Sequence, residues 1–193
     1  DNQLWYIDKN NNNKWDSGES YADLNNDGRK SYREPYIDKN GNVDYKEILR
    51  NPYSINEYIE FIKQVSPRSN PELFKSKNDI IAYWINTYNA LIIKIMIDNP
   101  EVSSILDISF KHAIFWKKHL VGGEKISLNT IEHKILRKEI KDPRIHFAIN
   151  CGSVSCPPLG ERIFDGIDLD KQLDNKAYNF INNGVASVRD TIE

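Results

Sequence analysis

The sequence lacks a strong excess of charge of either sign and lacks an unbroken hydrophobic run. Its formal net charge is −2 over 193 residues, so no basic excess indicates a nucleic-acid partner. The longest apolar stretch, residues 80–97, is interrupted by two asparagines and a lysine. This pattern predicts a buried core helix rather than a transmembrane segment.

The short motifs of catalysis and metal binding are scarce as well. Cysteine occurs only at Cys151 and Cys156, and this spacing does not form the Cys-x-x-Cys pattern of zinc or redox sites. A glycine-rich phosphate loop, a His-x-x-x-His zinc pair and a Gly-x-Ser-x-Gly motif are all missing. Hydrophobic residues make up 39% of the chain, which is typical of a globular protein rather than a disordered one.

A repeat with a period of 15 residues occupies the first fifty residues. The pattern aromatic-x-Asp recurs at Tyr6, Tyr21 and Tyr36, and each Asp opens a loop. In the first two loops, oxygen donors stand at positions 1, 3, 5 and 12 of a 12-residue calcium loop, and Asn13 or Gly28 stands at the sharply turning position 6. The predicted ligands, including the backbone carbonyls of Lys14 and Arg29, are Asp8, Asn10, Asn12, Lys14, Asp16 and Glu19 in the first loop, and Asp23, Asn25, Asp27, Arg29, Ser31 and Glu34 in the second.

The third copy departs from this pattern, because Val43 stands at position 6. The ligands expected in its shortened loop are Asp38, Asn40, Asn42, Asp44 and Glu47. The three-residue spacers between loops leave no room for the helices of an EF-hand. The arrangement is similar to the tandem calcium repeats of secreted bacterial proteins and to thrombospondin-type repeats, and a solvated Asn/Asp-rich linker is the alternative. Because weak calcium sites are filled outside the cytosol, the repeat predicts an extracytoplasmic protein.

Residues 51–193 predict a separate α+β domain that is rich in helices and has a small sheet. Ser54 and Glu57 form a capping-box pattern at the start of a helix. Residues 78–98 predict a central helix, because they are apolar nearly all round.

The second half of this domain predicts a hairpin, a strand and two more helices. The hairpin is expected to turn at Gly122–Gly123, and alternating apolar residues predict a strand over residues 144–150. Helices are expected over residues 130–140 and from residue 168 or 170 to Gly184.

The loop that follows the predicted strand 144–150 is the main candidate for a functional site, because loops at the ends of rigid elements often carry function. Cys151 stands at the strand end, where its thiolate could act as a nucleophile. The backbone N–H of Gly152 could then stabilise an oxyanion.

Partners for Cys151 would have to come from other elements. His133 is the candidate base, because the 100° step of an α-helix places it at the margin of the apolar face. Asn86 and Asn89 share one helix face and are candidates for orienting the base. Glu132 is a candidate acid.

Each of these residues also has a structural interpretation. Cys151 could be an inert buried thiol or could form a disulfide with Cys156. His133 could be an ordinary structural histidine, and the two asparagines could tie their helix to a loop. Glu132 has Lys134 and Lys138 nearby and could belong to a charged helix surface.

Four segments follow the motifs of a known family. They are Tyr83-Trp-Ile-Asn-Thr-Tyr-Asn-Ala-Leu91, Val121-Gly-Gly123, Ser127-Leu-Asn-Thr-Ile-Glu-His133 and Arg144-Ile-His-Phe-Ala-Ile-Asn-Cys-Gly-Ser-Val-Ser-Cys-Pro-Pro-Leu159. Together they resemble a widespread family catalogued as a domain of unknown function, number 547, over roughly residues 70–183. The resemblance implies no established activity, but it implies that all five candidate site residues belong to family motifs. A cysteine and a histidine on separate elements are also loosely similar to papain-like hydrolases.

Two functional hypotheses follow from these patterns. The first is an extracytoplasmic calcium-binding protein whose larger domain performs acyl transfer or amide hydrolysis through Cys151, on an unidentified peptide, glycan or small-molecule substrate. The alternative is a binding or surface-display module without catalysis, in which calcium makes the repeat segment rigid.

The calcium prediction is tested by chelation. Removing calcium is expected to lower the melting temperature and to speed proteolysis within residues 1–50, because the clustered carboxylates would repel one another without the cation. Thermal melting and limited proteolysis, each with calcium or with chelator, measure both effects. An unchanged melt together with an unchanged cleavage pattern would contradict calcium binding.

Overall fold

The described part of the chain is rich in helices and contains one small sheet. A computed structural model describes residues 37, 41–102, 104–108, 110–153, 156–160 and 162–189. The first two predicted calcium loops, and Asp38 and Asn40 of the third, lie outside these residues. The architecture confirms the prediction of a helix-rich α+β domain with a small sheet.

The elements follow one another in this order along the chain. The α-helices are α1 (Tyr45–Arg50), α2 (Tyr53–Gln64), α3 (Lys77–Ile97) and α4 (Leu169–Arg189), and a π-helix covers Thr130–Ile140. The strands are β1 (Lys118–Val121) and β2 (Glu124–Ser127). Short 3₁₀ helices cover Pro71–Leu73, Ile105–Asp107, Phe110–Trp116 and Pro143–Phe147.

The central helix is α3, as the apolar pattern over residues 78–98 predicts. It begins with a capping box, in which Ser76 Oγ accepts from Asp79 N–H and the Asp79 carboxylate accepts from Ser76 N–H. Almost every residue from Ile81 to Ile97 is buried. The helix is long and apolar enough to cross a membrane, but 83% of that stretch is buried within the protein, as in a core helix.

The hairpin of β1 and β2 turns at Gly122 and Gly123, as predicted. The N–H groups of these glycines donate to the carbonyl oxygens of Ile62 and Lys63, each at 2.8 Å. The turn therefore satisfies carbonyls at the C-terminal end of α2. Gly122 has a φ of 57°, and a Cβ there would lie 2.1 Å from Ser66 Oγ, so only glycine fits.

The prediction of a strand over residues 144–150 is wrong, because Pro143–Phe147 forms a 3₁₀ helix instead. Asp142 caps this helix by accepting a hydrogen bond from Arg144 N–H at 2.9 Å. The buried residues are Ile145, Ala148 and Ile149, which follow helical spacing. Apolar residues at 145 and 149 fit both a strand and a helix period, so alternation alone misassigned the segment.

Two helix ends also differ from prediction. The helix α2 begins at Tyr53 after Pro52, and Ser54 lies buried inside it, so Ser54 is not the N-cap. Proline precedes a helix readily because its φ is already fixed near the helical value. Helix α4 does not end at Gly184 but continues to Arg189, because a helix tolerates an internal glycine at a cost of about 1 kcal/mol.

The end of the repeat segment packs against the larger domain. Ile48 of α1 lies in a small apolar cluster with Ile93 and Ile97 of α3. Gly41 has a φ of 79°, and a Cβ there would lie 2.4 Å from Pro158 Cβ. Residues 41–50 are therefore anchored on α3 and on the loop around Pro158.

Arg144 connects the 3₁₀ helix Pro143–Phe147 to α4. Its guanidinium contacts the carboxylates of Asp142, Asp170 and Asp174 at 2.6, 2.8 and 2.7 Å. Hydrogen bonding to Arg144 lowers the pKa of Asp142, against an opposing effect of burial, and also lowers the pKa of Asp170. This cluster fixes the start of α4 beside the polypeptide that leads to Cys151.

The Arg144 cluster predicts a pH-dependent contribution to stability. We expect Arg144→Gln to lower the free energy of unfolding at pH 7 by about 1–2 kcal/mol, because Asp142 loses its charged partner. The pKa of Asp142 is lowered from 3.8 in the folded protein. Its contribution is therefore fully present above about pH 4 and is lost as the pH falls through the lowered value. Urea unfolding across this pH range measures the difference between the two proteins.

Asp174→Asn is the control for this experiment. The Asp174 side chain is 68% exposed, so its ion pair with Arg144 is expected to contribute less than about 0.5 kcal/mol. Equal destabilisation by the two substitutions would show that Asp142 contributes no more to the free energy of unfolding than Asp174 does.

Candidate functional site

The side-chain amides of Asn86 and Asn89 each donate one hydrogen bond to, and accept one from, the backbone of a neighbouring loop. Asn86 Nδ2 donates to Phe164 O at 2.7 Å, and Asn86 Oδ1 accepts from Phe164 N–H at 3.1 Å. Asn89 Nδ2 donates to Ala148 O at 3.0 Å, and its Oδ1 accepts from Asn150 N–H at 2.9 Å. Both side chains are buried, so these bonds satisfy amides that would otherwise be costly in the core. The contacts fit the interpretation that the asparagines tie α3 to loops.

Asn150 continues this arrangement into the loop that carries the cysteines. Its Nδ2 donates to Pro157 O at 2.8 Å, and its Oδ1 accepts from Gly152 N–H at 2.7 Å. The loop is thus closed on itself by the side chain of Asn150. The Gly152 N–H, expected to face a substrate oxyanion, is used within the loop.

Cys151 and Cys156 are joined by a disulfide, with their Cα atoms 6.3 Å apart. The disulfide alternative therefore holds in this structure, and the hypothesis of a free Cys151 thiolate does not. Both residues are partly exposed rather than fully buried. A disulfide cannot act as the proposed nucleophile unless it is first reduced.

The far side of the disulfide loop is held by α4. Lys176 Nζ donates to Pro158 O at 2.7 Å. Burial lowers the pKa of Lys176 to about 8. The loop is therefore held by α3 through Asn89 and by α4 through Lys176.

His133 is exposed on the surface of the π-helix and does not lie at the margin of the apolar face. The expected position of His133 assumes the 100° step of an α-helix. A π-helix has wider turns with i→i+5 hydrogen bonds, shown here by Lys141 N–H donating to Leu136 O at 3.2 Å. The different step rotates His133 away from its expected position.

Glu132 belongs to a chain of polar contacts that runs from the core to the surface. Tyr88 Oη, which is fully buried, donates to Glu132 Oε2 at 3.0 Å. Arg137 Nη2 contacts Glu132 Oε1 at 2.8 Å and His146 Nδ1 at 3.3 Å. Burial, and then the charge of Glu132, raise the pKa of Tyr88, so its hydroxyl stays protonated as the donor. Arg137 and His146 are not predicted as site residues from the sequence, because their contact joins two elements that come together only in the folded protein.

The described part of the third calcium loop makes other contacts. Asp44 Oδ1 caps α1 by accepting from Glu47 N–H at 3.0 Å, and the Glu47 carboxylate pairs with Arg50 at 2.8 Å. Asn42 also lies in this described part. Among the residues that the structure describes, no group of three or more His, Cys, Asp and Glu side chains could hold a metal. Calcium binding by the complete loops, which lie outside those residues, stays a prediction.

Comparison with known families identifies the larger domain. Residues 72–181 match the family described as "Protein of unknown function, DUF547", and this segment is more than half of the chain. The chain belongs to the DUF547 family. The matched segment contains all five candidate site residues, from Asn86 to Cys151. A search of the curated proteins and a search of the solved structures each found no match.

Within the DUF547 segment, the amide contacts therefore give the motif asparagines a definite physical role. They bring two loops that are distant in sequence onto one helix face. The disulfide loop is positioned by Asn89 and Asn150 in addition to its own covalent bond. The positions of these two loops are thus set by α3.

The Asn89 contact predicts a large effect of truncation. We expect Asn89→Ala to lower the free energy of unfolding by about 2–4 kcal/mol, because Ala148 O and Asn150 N–H each lose their side-chain partner in a mostly buried setting. Urea unfolding measures the loss, and hydrogen exchange at the Asn150 amide reports release of the loop. Asn99→Ala is the control, because it removes a single bond to Ile95 O at the end of the same helix. The prediction fails if both variants lose the same stability and Asn150 stays protected.

Proposed function

We propose that this chain is an extracytoplasmic calcium-binding protein whose DUF547 domain serves as a non-catalytic binding module. The observation that carries the proposal is the bond between the sulfurs of Cys151 and Cys156. It removes the one thiolate on which a thiol-dependent mechanism would depend.

The neighbouring groups support a structural role for this region. The amides of Asn86 and Asn89 are used in bonds to backbone, and the N–H of Gly152 is used by Asn150. His133, the proposed base, is exposed on a separate helix. A catalytic site would instead need donors and a base held ready for a substrate.

The extracytoplasmic location is supported by two independent features. Disulfides persist in secreted, periplasmic or cell-surface proteins and are rare in the cytosol. The Asp/Asn-rich repeat suits calcium, which is abundant outside the cell. The anchoring of residues 41–50 on α3 would transmit the order of calcium-filled loops to the DUF547 domain.

Alkylation with iodoacetamide tests the proposal. The native protein at neutral pH is expected to take up no label, and protein treated with dithiothreitol is expected to take up two labels, because both thiols are released together. Intact mass spectrometry counts the labels. Labelling of Cys151 in untreated protein would refute the disulfide on which the non-catalytic interpretation rests.

A thiol hydrolase or acyl transferase, loosely papain-like, is the second candidate. It is favoured by the partial exposure of both cysteines and by the Asn89 and Asn150 contacts, which hold the loop without the disulfide. The same alkylation distinguishes the two functions when it is repeated on the Cys156→Ser variant. A module predicts that Cys151 there is alkylated at the rate of an ordinary thiol, and an enzyme predicts rapid alkylation that persists below neutral pH.

A further inference from the structure

The π-helix brings two charged residues together that an α-helix would separate. Glu132 and Arg137 are five residues apart, and their side chains are in contact at 2.8 Å. In an α-helix, residues five apart point in clearly different directions, whereas i→i+5 bonding returns the chain to nearly the same face. π-Helical turns occur frequently at functional sites.

Arg137 is supported from the core of the protein. Glu132 is only 17% exposed, and its two oxygens are taken by Tyr88 and Arg137. Tyr88 is fully buried in α3, so Glu132 cannot move freely. Tyr88 thus fixes the carboxylate of Glu132, and Glu132 in turn fixes the position of Arg137.

The outer side of Arg137 remains open. Its side chain is 48% exposed, and its described contacts, with Glu132 and His146, both use Nη2. An arginine has five N–H donors, so Nε and Nη1 can bind a further acceptor. Because Arg137 can only donate, His146 Nδ1 must accept, and a neutral His146 then carries its proton on Nε2.

The surrounding charge is positive. Residues 130–141 contain four lysines and arginines against two glutamates. Both glutamates are paired with arginines: Glu132 with Arg137, and Glu139 with Arg68 at 3.6 Å. Among the described residues, Lys134, Lys138 and Lys141 form no ion pair, so an approaching anion meets their positive charges, in a chain whose net charge is −2.

We propose that Arg137, beside His146, forms a binding site for an anionic oxygen group, a carboxylate or a phosphate ester, and that Glu132 is its positioning residue. The inference rests on the proposed function, because it names the ligand class that the DUF547 module would bind. Both bidentate edges of a guanidinium include Nη2, which already contacts Glu132 and His146, so Nε–H and Nη1–H remain as separate charge-assisted donors for such a group. His146 Nε2–H points away from Arg137 because Nδ1 faces it, so His146 borders the site and reports on it without donating to the same group.

Anion titration followed by NMR tests the site on the full chain. The Hε1 resonance of His146, assigned with His146→Gln, is followed during addition of inorganic phosphate or acetate, each against chloride at matched ionic strength and without added calcium. We expect a saturating shift with half-saturation on the order of millimolar. Saturation by only one anion identifies the phosphate or the carboxylate as the source.

Two pairs of variants separate a defined site from a general electrostatic field. Arg137→Gln and Lys134→Gln each remove one positive charge from the same helix, and we expect about a tenfold or greater loss of affinity in the first and less than about twofold in the second. Glu132→Ala and Glu139→Ala each remove one negative charge. A simple field predicts tighter binding in both, whereas a positioning role predicts weaker binding in Glu132→Ala alone. Melting curves confirm that each variant is folded.

The outcomes are independent of the alkylation experiment. A linear drift without saturation, or equal effects within each pair of variants, overturns the anion site and leaves the non-catalytic module standing if Cys151 is unreactive. A saturating titration together with a reactive Cys151 keeps the anion site and overturns the module.

Discussion

The hydrogen bonding of two asparagines inside an apolar helix is the constraint on which the DUF547 fold depends. Asn86 and Asn89 are 8% and 9% exposed, and a buried amide without partners would cost on the order of 1–3 kcal/mol for each unsatisfied group. The helix cannot supply these partners, because its own backbone groups are already paired. The polypeptide near residues 148–150 and residue 164 must therefore come to α3, and its apolar residues Ile149 and Phe164 are buried with it.

Several separate segments depend on the contact of residues 148–150 and residue 164 with α3. Once Asn150 is fixed by Asn89, its own side chain can close the loop onto Pro157 and Gly152. The next residues of this loop then provide the surface on which Gly41 packs. The N-terminal repeat is thus joined to the domain next to the disulfide, so a rigid calcium-filled repeat would act on the same loop that the disulfide constrains.

The features that the sequence predicts correctly are those with local signals. Continuous apolarity predicts helix α3. Two adjacent glycines predict the hairpin, because a tight turn requires residues that tolerate positive φ. The helix at residues 143–147 was missed because positions 145 and 149 fit two periods at once. The orientation of His133 was missed because nothing in its own segment shows that the helix is a π-helix. The contact of Arg137 with His146 joins residues nine apart on different elements, and such a contact depends on tertiary packing.

The same packing explains why the surface of the π-helix is more suited to binding than the disulfide loop. Tyr88 directly precedes Asn89, so one rigid helix fixes both Arg137, through Glu132, and the loop of Cys151. In the described part of the loop, the side chain of Asn150 uses the N–H of Gly152 and the carbonyl of Pro157, so these groups are not available to a ligand. At Arg137 the inward contacts use one side of the guanidinium and leave the other side exposed. A donor that is already fixed loses little conformational entropy when an anion binds, and this preorganisation favours binding at the π-helix.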